Sequence, residues 1–278
     1  MSEAVERGGA QAQDGLTAEV LAVGTELVSG RILDTNSHWL CGQMAVLGCT
    51  PRRITVVPDD VSEVADALTS AAERRSGLVV CTGGLGPTPD DVTTEALAAL
   101  AGVPTEVHEP TIREYMARRG IQRREDVTPN LIRMATVPRG AEVLPNPAGW
   151  APCIKLMLDA STVFALPGPP REVEAIFQEH VAPFIASRCG CRCVAARLGV
   201  AMYESEVSPL MEEVMRTFPG TYVKAYVALR RSGEELLPVD VMARAADEAD
   251  AAALLEEAVA HFCQLASSRG RCVKRCDG

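Results

Sequence analysis

Leu78–Thr82 reads LVVCT, an unbroken apolar and β-branched run that leads straight into Gly83-Gly84-Leu85-Gly86-Pro87-Thr88-Pro89-Asp90-Asp91. A strand without in–out alternation is covered on both faces, as in a parallel sheet flanked by helices. The preceding segments follow the same plan. Residues 17–24 form a short apolar run ending in glycine. Residues 33–47 place Trp39, Leu40, Met44 and Leu47 near one helical face, with Gly48 where a C-terminal glycine belongs. Residues 54–57 read as a second strand. Residues 61–75 read as a helix with Val64, Leu68 and Ala71 inward, and residues 92–101 as the helix after the glycine loop. This β-α-β-α-β-α rhythm predicts an α/β fold with a doubly wound, mostly parallel sheet.

Farther along, residues 110–119 and 130–134 look helical, and 142–152 loop-like. Residues 154–158 and 162–166 look strand-like. Pro169-Pro170 opens a helix to about residue 187, since proline suits the first turn. The rhythm then changes to strand (194–200), helix (203–218), two strands (221–229 and 236–243), helix (247–267) and a last strand (271–274). That βαββαβ order is that of a split-βαβ module. The expected division is a disordered N-terminal extension over 1–16, an α/β domain over 17–188 and a small α+β module over 189–278.

The chain has 278 residues, 47% of them hydrophobic but only 4% aromatic, so its core must be aliphatic. Its net charge of -10 repels nucleic-acid phosphates at long range, and no nucleic-acid partner is expected. A small anion needs local donors instead: backbone amides, a helix N-terminus or a cation. No apolar run reaches the roughly 18 residues of a membrane span, and residues 1–16 lack an apolar signal core. A cytoplasmic protein without a membrane partner is expected. Of ten cysteines, Cys41, Cys49, Cys81 and Cys153 read as buried thiols. Cys189, Cys191 and Cys193 would share one strand face, but zinc sites prefer C-x₂-C pairs.

Four loops follow strands at the edge where open α/β sheets bind ligands. The first, residues 24–30, has glycines at both ends and leads to Asp34-Thr35-Asn36-Ser37. Helix capping and ligand contact explain those polar residues equally well. The second, Pro58-Asp59-Asp60, suits a helix N-terminus, and equally offers oxygen ligands to Mg²⁺. In the third, three glycines within Gly83–Gly86 free amides to face an anion while Asp90 and Asp91 suit its counter-cation; the plain alternative is a turn with Asp91 as cap. No Gly-Lys-Ser/Thr follows, and the dinucleotide fingerprint is absent. The fourth is Pro167-Gly168-Pro169-Pro170. Residues 146–152 form a wall or lid, whose Trp150 either stacks on a ring or is simply half-buried.

In this order, these segments resemble the molybdopterin-binding (MoaB/Mog-like) domain, in the version found at the N-terminus of the competence-damage-inducible (CinA) proteins. The resemblance is carried by Val23-Gly24-Thr25-Glu26-Leu27 with Gly30 and Thr35-Asn36, and by Thr82-Gly83-Gly84-Leu85-Gly86-Pro87-Thr88 with Asp90-Asp91-Val92-Thr93. Asn146-Pro147 with Gly149 and Ala151-Pro152, then Leu166-Pro167-Gly168-Pro169-Pro170, complete it over roughly residues 18–187. It implies a three-layer α/β sandwich followed by a KH-type module. It implies functional aspartates at Asp59 and Asp91, and a ligand that is either molybdopterin undergoing adenylylation or a dinucleotide-like diphosphate such as ADP-ribose or FAD. It departs from the pattern at Trp150 and Cys153, where smaller residues are usual. The amidase domain that CinA proteins carry at their C-terminus is not expected here.

Three functional readings follow. The first is a divalent-metal-dependent nucleotide pyrophosphatase. Asp59, Asp90 and Asp91 are its catalytic residues, with Asp59 and Asp91 holding Mg²⁺, or else Mn²⁺ or Co²⁺. Gly83, Gly84 and Gly86 take the phosphates, with Thr88, Gly149, Pro167 and Gly168 around the ligand. Thr25, Glu26 and Asn36 fix its polar edges. His38, His108, His180 and His261 read as structural or solvated, so metal-activated water is the expected nucleophile. The second is pterin binding or adenylylation in molybdenum-cofactor synthesis. The third is a non-enzymatic sensor or scaffold. A homodimer is expected.

Overall fold

A computed structural model describes residues 15–229 and 236–276. The chain divides into two units, residues 1–45 with 49–188 and residues 46–48 with 189–278.

The first unit runs β1 (Thr17–Val23), α1 (Thr25–Val28), α2 (Thr35–Val46), β2 (Thr50–Val57), α3 (Val61–Glu73), β3 (Leu78–Thr82) and α4 (Thr93–Ala101). Next come β4 (Thr105–Val107), α5 (Glu109–Arg119), α6 (Pro129–Met134), β5 (Thr136–Pro138), β6 (Glu142–Leu144) and β7 (Cys153–Leu158). The unit closes with β8 (Ser161–Leu166), α7 (Pro170–Ile176) and α8 (Ala182–Arg188). Six strands form one sheet in the order β2-β1-β3-β8-β7-β6. The first four are mutually parallel, and β7 and β6 add an antiparallel edge.

The continuous apolar pattern of the central strands reflects helices on both faces. Leu21, Val23, Val79, Cys81, Val163 and Ala165 pack in one core with Val64 and Leu68 of α3 and Ala96 and Leu97 of α4. The intervening Val20, Ala22, Val80 and Phe164 are equally buried. On that second face the Phe164 and Phe184 rings meet edge-on at 5.3 Å, as do Trp39 and Phe177. The result is the expected three-layer sandwich with a mostly parallel sheet.

Several details differ from the sequence reading. β2 begins at Thr50 rather than residue 54, because it is an edge strand whose first half is half-buried or exposed and lacks an apolar signature. Residues 25–28 form a helical turn, and three-residue strands at β4, β5 and β6 are too short to show periodicity. The helix opened by Pro170 passes through a π turn, Phe177–Val181. The expected extension lies outside the described residues as far as Asp14, whereas Leu16 is already bonded to the sheet, its carbonyl accepting from Thr50 N at 2.9 Å.

In the second unit, β9 (Arg192–Val200), α9 (Glu204–Thr217), β10 (Thr221–Ala225), β11 (Leu237–Ala245), α10 (Glu248–Ser267) and β12 (Val273–Cys276) follow the βαββαβ order. The sheet order is β10-β11-β9-β12, with every pair antiparallel. Leu198, Val239, Val241 and Leu210, with Phe262, form its largely aliphatic core. The order is that of a split-βαβ module and gives no support of its own to the KH-type label. Only Cys193 of the C-x-C-x-C run lies on a strand, because Cys189 and Cys191 precede β9. Among the described residues no three His, Cys, Asp or Glu are grouped to hold a metal, and no helix is long and apolar enough to cross a membrane.

Candidate functional site

β1 lies between β2 and β3, so the chain reverses direction across the sheet there. The crevice outside the carboxyl ends of β1 and β3 is therefore a topological switch point, where ligands bind in open α/β sheets. All four expected loops reach it and line one cleft of about 680 Å³.

Loops one and two are locked together. Thr25 N donates to Asp59 Oδ2 at 2.7 Å, and Asp59 N donates to Thr25 Oγ1 at 3.2 Å. Asp59 lines the cleft, with Oδ1 free of any partner among the described residues. Thr25 is its brace rather than part of the lining. Asp60 caps α3, accepting from Ser62 N and Glu63 N at 2.9 and 3.2 Å. These bonds, led by the Ser62 hydroxyl, hold its carboxyl below the ordinary range. The adjacent pair thus divides into one structural carboxylate and one facing the cleft.

The third loop is shaped by its glycines. Gly83 and Gly84 have φ of 101° and 67°. A Cβ on Gly83 would lie 2.2 Å from Val23 O, and one on Gly84 2.3 Å from Thr93 Oγ1. The Gly83 amide donates to Leu166 O at 2.9 Å, so it is not a phosphate donor, contrary to the sequence reading. The amides of Gly84, Leu85 and Gly86 have no acceptor among the described residues, and all three residues line the cleft. Asp91 Oδ2 accepts from Thr88 N at 2.8 Å and from the Thr88 hydroxyl at 2.6 Å, leaving Oδ1 without a partner. Asp90 is exposed, and the nearby Thr88 side chain, then its own backbone amide, hold its carboxyl below the usual range. Behind the loop Arg133 donates to Asp91 O at 2.8 Å and to Glu95 at 3.2 Å. No sequence signal marks this clamp, which lies about forty residues downstream.

The fourth loop is tied to the first. Asn36 Nδ2 donates to Gly168 O at 2.8 Å and to Thr82 Oγ1 at 3.3 Å, and Thr82 Oγ1 donates to Pro167 O at 3.0 Å. Only the oxygen of the Asn36 amide is left for a ligand. Asp34 accepts from Ser37 N at 2.9 Å and is the capping residue among that polar group. Glu26, Thr88, Pro167 and Gly168 line the cleft. Gly149 does not. It is buried against Glu172, where a Cβ would meet Oε2 at 2.0 Å. Its neighbours Trp150 and Ala151 supply the wall instead. Asn146 pins this wall, donating to Ala151 O at 2.8 Å and to Glu172 Oε2 at 2.6 Å.

None of the four histidines lines the cleft. Its charged lining consists of Glu26, Asp34, Asp59, Asp90, Asp91 and Glu172 against Arg119 alone. An anion enters such a place only with a cation. Asp59 and Asp91 each leave one carboxylate oxygen open, which is the hard ligand type that Mg²⁺ takes. Among the described residues no third ligand is grouped with them, so a Mg²⁺ held there would keep water and ligand phosphate oxygens for the rest of its shell. The donor type of these two carboxylates suits a hard divalent cation.

Residues 19–187 match the model of a family described as "probable molybdopterin binding domain". The chain belongs to this family. The matched span contains every loop of the cleft. A Pyrobaculum arsenaticum protein is 39% identical over 255 residues, covering 91% of this chain and 95% of the relative. A CinA-like protein from Anaeromyxobacter sp. is 41% identical over 203 residues, 72% of this chain but 48% of that protein. The crystal structure of CinA from Thermoplasma acidophilum superposes with a TM-score of 0.57 at 34% identity, covering 62% of this chain and 98% of that one. The molybdopterin-binding domain expected from the four motifs, and its CinA-like character, are therefore established.

Proposed function

We propose that the molybdopterin-binding domain of this chain hydrolyses the pyrophosphate bond of a nucleotide diphosphate of the ADP-ribose or FAD type, with a divalent metal. One observation carries the reading: the open amides of Gly84, Leu85 and Gly86 share a cleft with the half-free carboxylates of Asp59 and Asp91.

Those amides hold non-bridging phosphate oxygens and stabilise the charge that develops on them. Asp59 and Asp91 would hold Mg²⁺, or Mn²⁺ or Co²⁺ in its place, which supplies Lewis-acid polarisation of the diphosphate. Water attacks one phosphorus as the bridging P–O bond breaks, and ADP-ribose yields AMP and ribose 5-phosphate. Arg133 keeps the loop in place from behind, through Asp91 O. Purified protein incubated with ADP-ribose and each of the three metals is expected to release AMP. No AMP with any metal rejects the reading.

Family membership favours a second reading, pterin binding in molybdenum-cofactor synthesis. It uses the same amides and carboxylates on a pterin phosphate, and fails if no pterin binds.

A further inference from the structure

We propose that Trp150 and Arg119 form the subsite for the planar heterocycle of the ligand. The cleft then selects a fused-ring diphosphate, purine or pterin, over a bare polyphosphate or a sugar phosphate. The inference rests on reading the cleft as a diphosphate site.

Among the described residues Trp150 is the only aromatic one in the cleft lining, which otherwise carries aliphatic, neutral polar and acidic side chains and Arg119. Its backbone is fixed from three directions. Tyr115 Oη donates to Trp150 O at 2.5 Å, Arg118 Nη1 donates to Gly149 O at 2.7 Å, and Asn146 holds Ala151. A side chain on so rigid a support loses little freedom when a ring stacks on it.

Two cations of different status approach the indole. The Arg118 guanidinium lies 4.0 Å from the ring centroid and is also bonded to Gly149 O and Glu114. Tyr115 meets the indole edge-on at 5.5 Å. Together these two residues buttress the ring. The Arg119 guanidinium lies 4.7 Å from the centroid and lines the cleft, with no hydrogen-bond or ion-pair partner among the described residues. It is thus an unanchored planar cation beside a fixed indole, and among the described residues the only cation facing the cleft. A flat heterocycle gains from stacking on both groups, whereas a bare phosphate gains nothing from the indole. A tryptophan present only to fill the core would need no second, unanchored arginine.

The chain has two tryptophans, and Trp39 packs on Phe177. Trp39→Phe therefore leaves Trp150 as the sole indole reporter. With Mg²⁺, its emission is expected to be quenched saturably by ADP or by 6-hydroxymethylpterin diphosphate, and not by inorganic pyrophosphate. The tighter of the two rings identifies the heterocycle. In the otherwise unaltered chain, Trp150→Ala is expected to weaken the bound ring compound by about tenfold or more, and Trp150→Phe by no more than about threefold. Pyrophosphate affinity should be the same in all three proteins. Absence of quenching by both rings, or a Trp150→Ala affinity within twofold of the parent, overturns the proposal. Affinity is read without turnover, so a chain that binds ADP through Trp150 but releases no AMP supports this subsite and rejects the hydrolase.

Discussion

Asp91→Asn is expected to lower metal-dependent ADP-ribose hydrolysis by roughly 10²–10³-fold, the scale seen when a charge-stabilising group is removed from a reacting centre. The substitution separates two roles of one side chain. Oδ2 accepts from the amide and hydroxyl of Thr88, and an asparagine oxygen can do the same. The turn should therefore stand, with a melting temperature within about 3 °C of the parent. What disappears is the negative charge on the open oxygen. Asp60→Asn is the matching control. It alters a helix cap outside the cleft, so any change should appear in stability, at most about 1 kcal/mol, and not in turnover. Steady-state kinetics with a thermal melt on both variants decides the matter. Equal activity losses at Asp60 and Asp91 would contradict the division of roles.

Gly83→Ala is expected to destabilise the first unit by about 3 kcal/mol or more, because it combines a left-handed backbone with a backbone clash. The φ of 101° is costly for any L side chain, and the new methyl would sit 2.2 Å from the Val23 carbonyl, which is held in the sheet. Gly168→Ala is the contrast. The nearest atom to its added methyl is Gly83 Cα at 3.8 Å, and stability should change by no more than about 0.5 kcal/mol. Urea unfolding of the two variants measures the difference. If both prove equally tolerated, the close approach of β1 and the glycine loop is wrong.

The parts legible in the sequence were those with a local signature. LVVCT announced a strand covered on both faces, and β3 is buried at every residue. The glycines and aspartates that follow marked the loop, and four such loops in order were enough to find the family. What stayed hidden depends on tertiary partners. Arg133 and Glu172 act through bonds to distant segments, and nothing local distinguishes them from ordinary polar residues. Gly83 shows the limit in the other direction. A glycine count suggested an available amide, but the β8 carbonyl of Leu166 already occupies it. Gly149 belongs to a motif that points to the ligand, and instead makes room for the Glu172 carboxylate. The first half of β2 carries no apolar signal because an edge strand partly open to solvent has no need of one.

The main-chain amides themselves provide the most direct test. In ¹H–¹⁵N spectra of the intact chain, addition of ADP with Mg²⁺ should shift the Gly84, Leu85 and Gly86 signals strongly, and the shifts should vanish in Asp91→Asn. The Gly83 amide, bonded to Leu166 O, should move little. Shifts scattered elsewhere with those three signals unmoved would contradict the account.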